Sequence, residues 1–216
     1  MPVEGATAQV AGIIPARWGS SRFPGKPLHP LAGKTLLRHV YERVSACEQL
    51  ALVLVATDDE RIAREANSFG ALVEMTSSEH PSGTDRIAEA LQNHPDITHA
   101  INIQGDEPLI EPSLVDSFAA ALAADSDLPM ITAASPIVDL AQLTDPNIVK
   151  VVIDHDGWAL YFSRSALPHL RTQPDGLTPL RHIGLYGYRR DFLQQFVAWP
   201  PSSLEQAEHL EQLRAL

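Results

Sequence analysis

Cysteine is almost absent. Cys47 is the only one in 216 residues, which excludes an internal disulfide and a thiolate metal cluster. Long apolar runs are missing too. No stretch reaches the roughly 18 apolar residues of a membrane-crossing helix, and the first residues have neither the charged start nor the apolar centre of a secretory signal. The cytoplasm is the expected compartment. Positive charge is scarce: 16 Lys and Arg stand against 27 Asp and Glu, a net charge of −11. Such a chain is a poor general binder of nucleic acid or anionic membrane. If it takes a polyanionic small molecule, its few cations must be gathered in one place. Neither common glycine signature is present. Gly33-Lys34-Thr35 resembles the end of a Walker A loop, but Leu28 stands where that motif needs its first glycine, and no G-x-G-x-x-G occurs.

What is present is a core-forming chain, 44% hydrophobic and 20% charged, read as a single domain over 1–216. Val10–Ile14, Leu52–Ala56, Ala71–Met75 and Ala100–Gln104 are apolar runs of strand length. Helical spacing occupies Thr35 to Cys47, Asp59 to Phe69 and the Ile87-Ala88-Leu91 stretch, and Pro112 opens another helix through Leu114, Val115, Phe118 and Leu122. Thr35 and Asp58 are read as helix caps. Strand alternating with helix predicts a parallel sheet with crossover helices. From Met130 the rhythm changes. Met130–Ala134, Ile148–Ile153, Trp158–Phe162 and His182–Tyr188 read as strands with hairpin-like turns such as Asp154–Gly157. Gln173–Pro179 is turn-rich, and Asp191–Val197 and Ser203–Leu213 read as helices. The expected fold class is α/β: a three-layer, open, mostly parallel sheet with a smaller mixed or antiparallel lobe.

The positive charge is gathered just after the first strand. Arg17, Arg22 and Lys26 are spaced along a loop that also holds Gly19, Ser20, Ser21 and Gly25. Glycine permits backbone turns that aim N–H groups at an anion, and the cations add charge to that cradle. The reading is a triphosphate site; the plain alternative is a solvated basic loop. Asp106 follows Gly105 at the end of the Gln104 strand. A carboxylate there suits Mg²⁺, which takes one or two carboxylates plus phosphate oxygens and water; alternatively it is a turn aspartate. In Ser82-Gly-Thr-Asp-Arg86 the spacing alone favours Thr84 capping a helix whose first turn carries Asp85 and Arg86. Open α/β sheets bind ligands at the carboxyl ends of their strands, where these three segments converge. Further on, Arg164 ends a strand, His182, Gly184, Tyr186 and Tyr188 share a strand face, and Glu205, Glu208 and Gln212 share a helix face. Spacing alone makes that helix face an exposed polar one.

These stretches carry a resemblance. Arg17 to Pro27 resembles the N-terminal motif of the CMP-sugar-acid synthetases, and Gln-Gly-Asp-Glu-Pro at 104–108 matches theirs without change. Arg-His-Ile-Gly-Leu-Tyr-Gly-Tyr at 181–188 is similar to the 3-deoxy-manno-octulosonate (Kdo) cytidylyltransferases in particular. The resemblance implies a nucleotide-diphospho-sugar transferase (Rossmann-like) fold and transfer of CMP from CTP to Kdo for lipopolysaccharide synthesis, with Mg²⁺ as cofactor and a homodimer as the assembly. It divides the chain into a CTP-binding half, 10–129, and a sugar-acid-binding and dimerisation half, 130–216. Arg17, Ser20, Ser21, Arg22 and Lys26 would hold the nucleotide phosphates, Ser82 and Arg86 the cytosine, and Asp106 the metal. Gln104 would serve both substrates, and Arg164, His182, Tyr186, Glu208 and Gln212 the sugar acid. The family's C-terminal Gly-Val-Asp-Thr-Pro-type motif, source of a second metal aspartate, has no counterpart before Leu216. That departure makes a nucleotide-binding module impaired in catalysis one alternative reading; a related sialic-acid-type synthetase on the same fold is the other.

Overall fold

The computed structural model describes residues 8–19, 23–172 and 176–216. The elements of the first stretch are β1 (Val10–Ala16), β2 (Pro30–Leu31), β3 (Lys34–Thr35), α1 (Leu36–Val44), β4 (Leu52–Thr57), α2 (Glu60–Ser68), β5 (Leu72–Met75), α3 (Gly83–Ala90), β6 (His99–Asn102) and α4 (Pro112–Ala124). Then come β7 (Met130–Pro136), β8 (Lys150–Ile153), β9 (Ala159–Ser163), β10 (Leu180–Arg189), α5 (Arg190–Ala198) and α6 (Ser203–Glu208). They form two compact units: 1–131 with 185–197, and 132–184 with 198–216. The strands β7 and β10 run from one unit into the other.

In the first unit β5, β4, β1 and β6 are hydrogen-bonded in that order and run parallel. The Tyr186–Arg189 part of β10 pairs antiparallel with β6. Side chains alternate across this sheet. Ala11, Ile13, Leu54, Ala56 and Ala100 point to a core shared with Ile87 and Leu91 near α3 and with Leu193 of α5. The opposite face belongs to α1 and α4. There Gly12 leaves room for Val44, and Gly187 for Leu122 and Phe118. Helices thus cover both faces, the three-layer arrangement expected of a parallel sheet. Thr35 caps α1, its hydroxyl accepting from the Arg38 N–H at 3.3 Å. Asp59, not Asp58, caps α2, and Ser82, not Thr84, caps α3. At the start of α2 the residue nearer the strand, Asp58, pairs with Arg86 instead.

The second unit is antiparallel. β8 and β9 form a hairpin in which Lys150 faces Ser163 and Val151 faces Phe162. Asp154 closes its turn, accepting from the Asp156 and Trp158 N–H groups at 3.0 and 2.8 Å. Leu180 of β10 pairs with Val151. Val151, Phe162, Leu210 and Leu213 make the core. The helix expected over Ser203–Leu213 stops at Glu208. His209 adopts a left-handed conformation with φ 52°, and a 3-10 turn follows at Glu211–Ala215. The cause is local. Glu205 closes a capping box with Ser202 and accepts from the Arg214 guanidinium at 2.9 and 2.5 Å, which folds the chain end back on the helix. Glu205, Glu208 and Gln212 therefore do not lie on one helix face. No helix among the described residues is long and apolar enough to cross a membrane.

Candidate active site

In the first unit the parallel strands end on a cavity of about 670 Å³. Its walls include Arg17, Lys26, Ser82, Arg86, Gln104 and Asp106. Each part arrives on a different strand end. β1 breaks after Ala16 and delivers Arg17. The chain returns through Gly25 (φ 71°) into a 3-10 turn at Lys26–Leu28, with Pro27 buried beneath it. β6 delivers Gln104, Gly105 and Asp106. A Cβ at position 105 would stand 3.1 Å from the Pro15 carbonyl oxygen, so glycine is what lets this turn lie against β1 and carry Asp106 to the cavity. Ser20, Ser21 and Arg22 of the predicted cradle lie outside the described residues.

The Lys26 ammonium donates to Asp106 Oδ2 at 2.5 Å, with both side chains nearly half exposed. Arg86 is different. It is 2% exposed, donates to Thr76 Oγ1 and has its Nη2 3.3 Å from Asp58 Oδ1. That oxygen is buried and makes no hydrogen bond, so the pair is held by charge at ion-pair distance. Burial lowers the Arg86 pKa, Asp58 raises it again, and neighbouring Arg17 lowers it. Asp58 is thus the counter-ion of a cavity wall. The sequence signal for this was the Asp58-Asp59 doublet: one N-cap needs one aspartate, which releases the other. Ser82 lines the cavity while its hydroxyl accepts from the Thr84 and Asp85 N–H groups at 3.1 and 3.2 Å and donates to Asp85 at 2.6 Å. Gln104 donates to the buried Asn102 at 3.3 Å. Phe23 also lines the cavity, stacked edge-on to His29 at 5.0 Å; no periodicity marked it.

The cavity's donor set fits a hard divalent cation. Among the described residues no group of three His, Cys, Asp or Glu could cage a metal. Asp106 is a single accessible carboxylate beside cationic groups, which suits a metal that fills its remaining positions with phosphate oxygens and water.

The second unit brings together Arg164, His182, Glu208 and Gln212. Glu208 accepts from the Arg164 N–H at 3.0 Å and from Ser163 Oγ at 2.5 Å. These two bonds, backbone first, hold its carboxyl below the usual range. Arg164 in turn donates to the Glu208 carbonyl at 2.9 Å and the Pro146 carbonyl at 3.0 Å. Beneath them Lys150, fully buried, donates to the carbonyls of Asp145, Ile148 and Arg164 at 2.9, 2.6 and 2.5 Å. The His182 ring bonds Thr132 Oγ1 at 2.8 Å, meets Gln212 at 3.5 Å and packs edge-on against Phe162. Burial brings its pKa down to about 4. Tyr186 lies in the first unit, half-buried against the core and stacked on Tyr188 at 6.1 Å.

Comparison with known proteins agrees with this geometry. The family model described as cytidylyltransferase matches residues 11–216. The 3-deoxy-manno-octulosonate cytidylyltransferase of Syntrophotalea carbinolica is 47% identical over 215 residues, covering 96% of this chain and 86% of the relative. That of Geobacter sulfurreducens is 48% identical over 217 residues with the same shares. A solved CMP:2-keto-3-deoxy-manno-octonic acid synthetase complexed with CTP superposes with a TM-score of 0.91 at 43% identity, over 96% of this chain and 85% of that one. The mixed α/β sheet is that of a nucleotidyltransferase, and the chain belongs to the cytidylyltransferase family.

Proposed function

We propose that the chain activates Kdo with CTP, giving CMP-Kdo and pyrophosphate. The observation that carries this reading is the strand-end cavity, where Arg17, Lys26, Arg86 and Asp106 meet in a chain 43% identical to a synthetase solved with CTP. The anomeric hydroxyl oxygen of Kdo attacks the α-phosphorus of CTP. The bond from that phosphorus to the bridging oxygen of the β-phosphate breaks, pyrophosphate leaves, and the hydroxyl proton passes to solvent. Little covalent work falls to the protein. Its part is positioning and charge neutralisation.

Arg17 and Lys26 hold the phosphates, joined in this reading by Arg22, Ser20 and Ser21. Arg86, anchored by Asp58 and Thr76, and Ser82 form the cytosine side. Asp106 is the residue that would hold Mg²⁺, and a bound Mg²⁺ supplies charge neutralisation and a lowered pKa for the attacking hydroxyl. When the triphosphate draws Lys26 away, the Asp106 carboxylate is released for that role. Arg164, His182 and Gln212 are assigned to the sugar acid. Glu208 is assigned to holding Arg164 rather than to sugar hydroxyls, because both its oxygens already accept hydrogen bonds. A reaction fed by a nucleoside triphosphate belongs in the cytoplasm. Pyrophosphate release with CTP, Mg²⁺ and either Kdo or a sialic acid tests the reading. Turnover with Kdo and none with the sialic acid is expected; the reverse result, or no turnover with either, overturns it.

A further inference from the structure

Neither Trp18 nor Arg61 lines the cavity, and the chemistry above does not use them. Yet they sit where the cavity's cations are set. The Gly25 N–H donates to the Trp18 carbonyl at 3.0 Å, so the chain leaving β1 is tied at Trp18 to its own return at Gly25. That tie stands between Arg17 and Lys26, one residue from each. The Trp18 ring lies against the Gly25 backbone: a Cβ there would be 2.9 Å from Trp18 Cη2. The ring also carries the Arg61 guanidinium, whose central carbon is 3.2 Å from the ring centroid. Arg61 is in the first turn of α2 and is not loose. Asp59 accepts from its Nε at 3.0 Å, its Nη2 at 2.6 Å and its backbone N–H at 2.9 Å. An exposed Arg–Asp pair alone does little. Here the fork aims a planar cation at an indole, the strongest of the cation–π acceptors.

The Asp58-Asp59 turn therefore serves two arginines of the same site. Asp58 holds Arg86 in the cavity wall, and Asp59 holds Arg61 against the loop base. We propose that Trp18 and Arg61 are positioning residues for the nucleotide: a latch that fixes the Trp18–Gly25 tie, so that Arg17 and Lys26 stand ready for the triphosphate. This rests on the reading of the cavity as the CTP site. A loop base fixed in advance lowers the ordering cost of binding. Loss of the latch should weaken CTP binding about three- to tenfold and leave the sugar acid untouched.

The test uses the full chain. Arg61→Ala is the main variant, since its side chain is 47% exposed and its loss leaves the core intact. Arg61→Lys keeps a cation over the ring without the fork. Trp18→Ala and Trp18→Phe remove and shrink the ring, with thermal unfolding as the check on folding. CTP affinity is measured by calorimetry without sugar acid, and KM for CTP and for Kdo by pyrophosphate release. The chain has three tryptophans, so in a Trp158→Phe, Trp199→Phe background the emission reports on Trp18 alone. The expected result is a three- to tenfold weaker CTP affinity for Arg61→Ala, partial recovery in Arg61→Lys, an unchanged KM for Kdo and a changed Trp18 emission in Arg61→Ala. Lys26→Ala separates the two levels of the argument. Normal CTP binding in Arg61→Ala and Trp18→Ala beside a loss in Lys26→Ala refutes the latch and leaves the cavity reading standing. Normal binding in Lys26→Ala as well refutes both. An equal rise in both KM values also overturns the proposal, since it marks a general structural role.

Discussion

Acidification should loosen the second unit through His182, and the size of the effect follows from its burial. The unfolded imidazole takes up its proton near 6.5, whereas the buried ring does so only at about 4. Between those values the unfolded chain binds more protons than the folded one. Stability therefore falls as the pH falls through this window and is fully regained above about 6.5. Integrated from pH 7 to pH 5, the single group accounts for about 2 kcal/mol. For a chain of this size that corresponds to a drop of about 4–8 °C in Tm. His182→Gln keeps polar contacts toward Thr132 and Gln212 and removes the titration, so it should flatten the slope over that range even if it lowers stability at pH 7. Carboxylates such as Glu208, held below the usual range by their hydrogen bonds, are shared by wild type and variant, and His99, also lowered by burial, has the same sign. The readout is accordingly the difference between wild type and variant, from urea unfolding at pH 7, 6 and 5. Equal losses in both proteins would refute the argument. The functional corollary is that His182 carries no charge at neutral pH, so the charge of a sugar carboxylate must be met elsewhere.

Lys26→Ala should lower kcat/KM for CTP by about a hundredfold, as removal of one charge contact to a reacting phosphate does; pyrophosphate release at varied CTP measures it, and a near-normal value removes Lys26 from the site. Arg164→Lys keeps the charge but not the fork, and should raise the KM for Kdo about tenfold with that for CTP unchanged. Equal changes in both constants would contradict the division of labour between the units. Asp58→Asn takes from the buried Arg86 its nearest counter-ion and should cost about 3 kcal/mol in urea unfolding, together with weaker CTP binding; an unaffected midpoint would show that Thr76 and the nearby Glu89 charge suffice to hold the arginine.

Much of the first unit was legible because its physics is periodic. Buried parallel strands read as apolar runs such as Leu52–Ala56, the helices between them repeat every three to four residues, and their carboxyl ends had to converge. Asp106 and Lys26 could be named for that reason: each lies in the loop that follows a strand end. The second unit was less legible because its order comes from side chains bonding backbone far away in sequence. Lys150 reaches the Arg164 carbonyl, 14 residues on, and Glu208 reaches the Arg164 N–H, 44 residues back. Neither leaves a spacing pattern. The break at His209 was missed for the same reason, since Glu205 and Arg214 are both ordinary helix residues and only their pairing folds the chain back.

The Asp58-Asp59 doublet shows where reading by local rules ends. Capping requires an acceptor at the helix start, and either aspartate meets it equally well on paper. What separates them is direction. β4 ends at Thr57, and the chain then turns, so consecutive side chains diverge: Asp58 toward the cavity wall and Arg86, Asp59 toward the first turn of α2 and Arg61. Strand periodicity continued for one more residue already contains this divergence, because neighbours on a strand point to opposite sides. A doublet of like charges at a strand–helix junction is therefore better read as two assignments than as one cap with a spare. The first aspartate looks inward for a buried cation, the second outward for the helix. In this chain both cations serve one cavity, so the single variants Asp58→Asn and Asp59→Asn separate the two roles. The former should loosen the arginine in the wall and leave the Trp18 emission unchanged. The latter should loosen the loop base, changing that emission while the unfolding midpoint moves far less than in Asp58→Asn. Matching effects of the two variants on both readouts would show that the doublet acts as one cap after all.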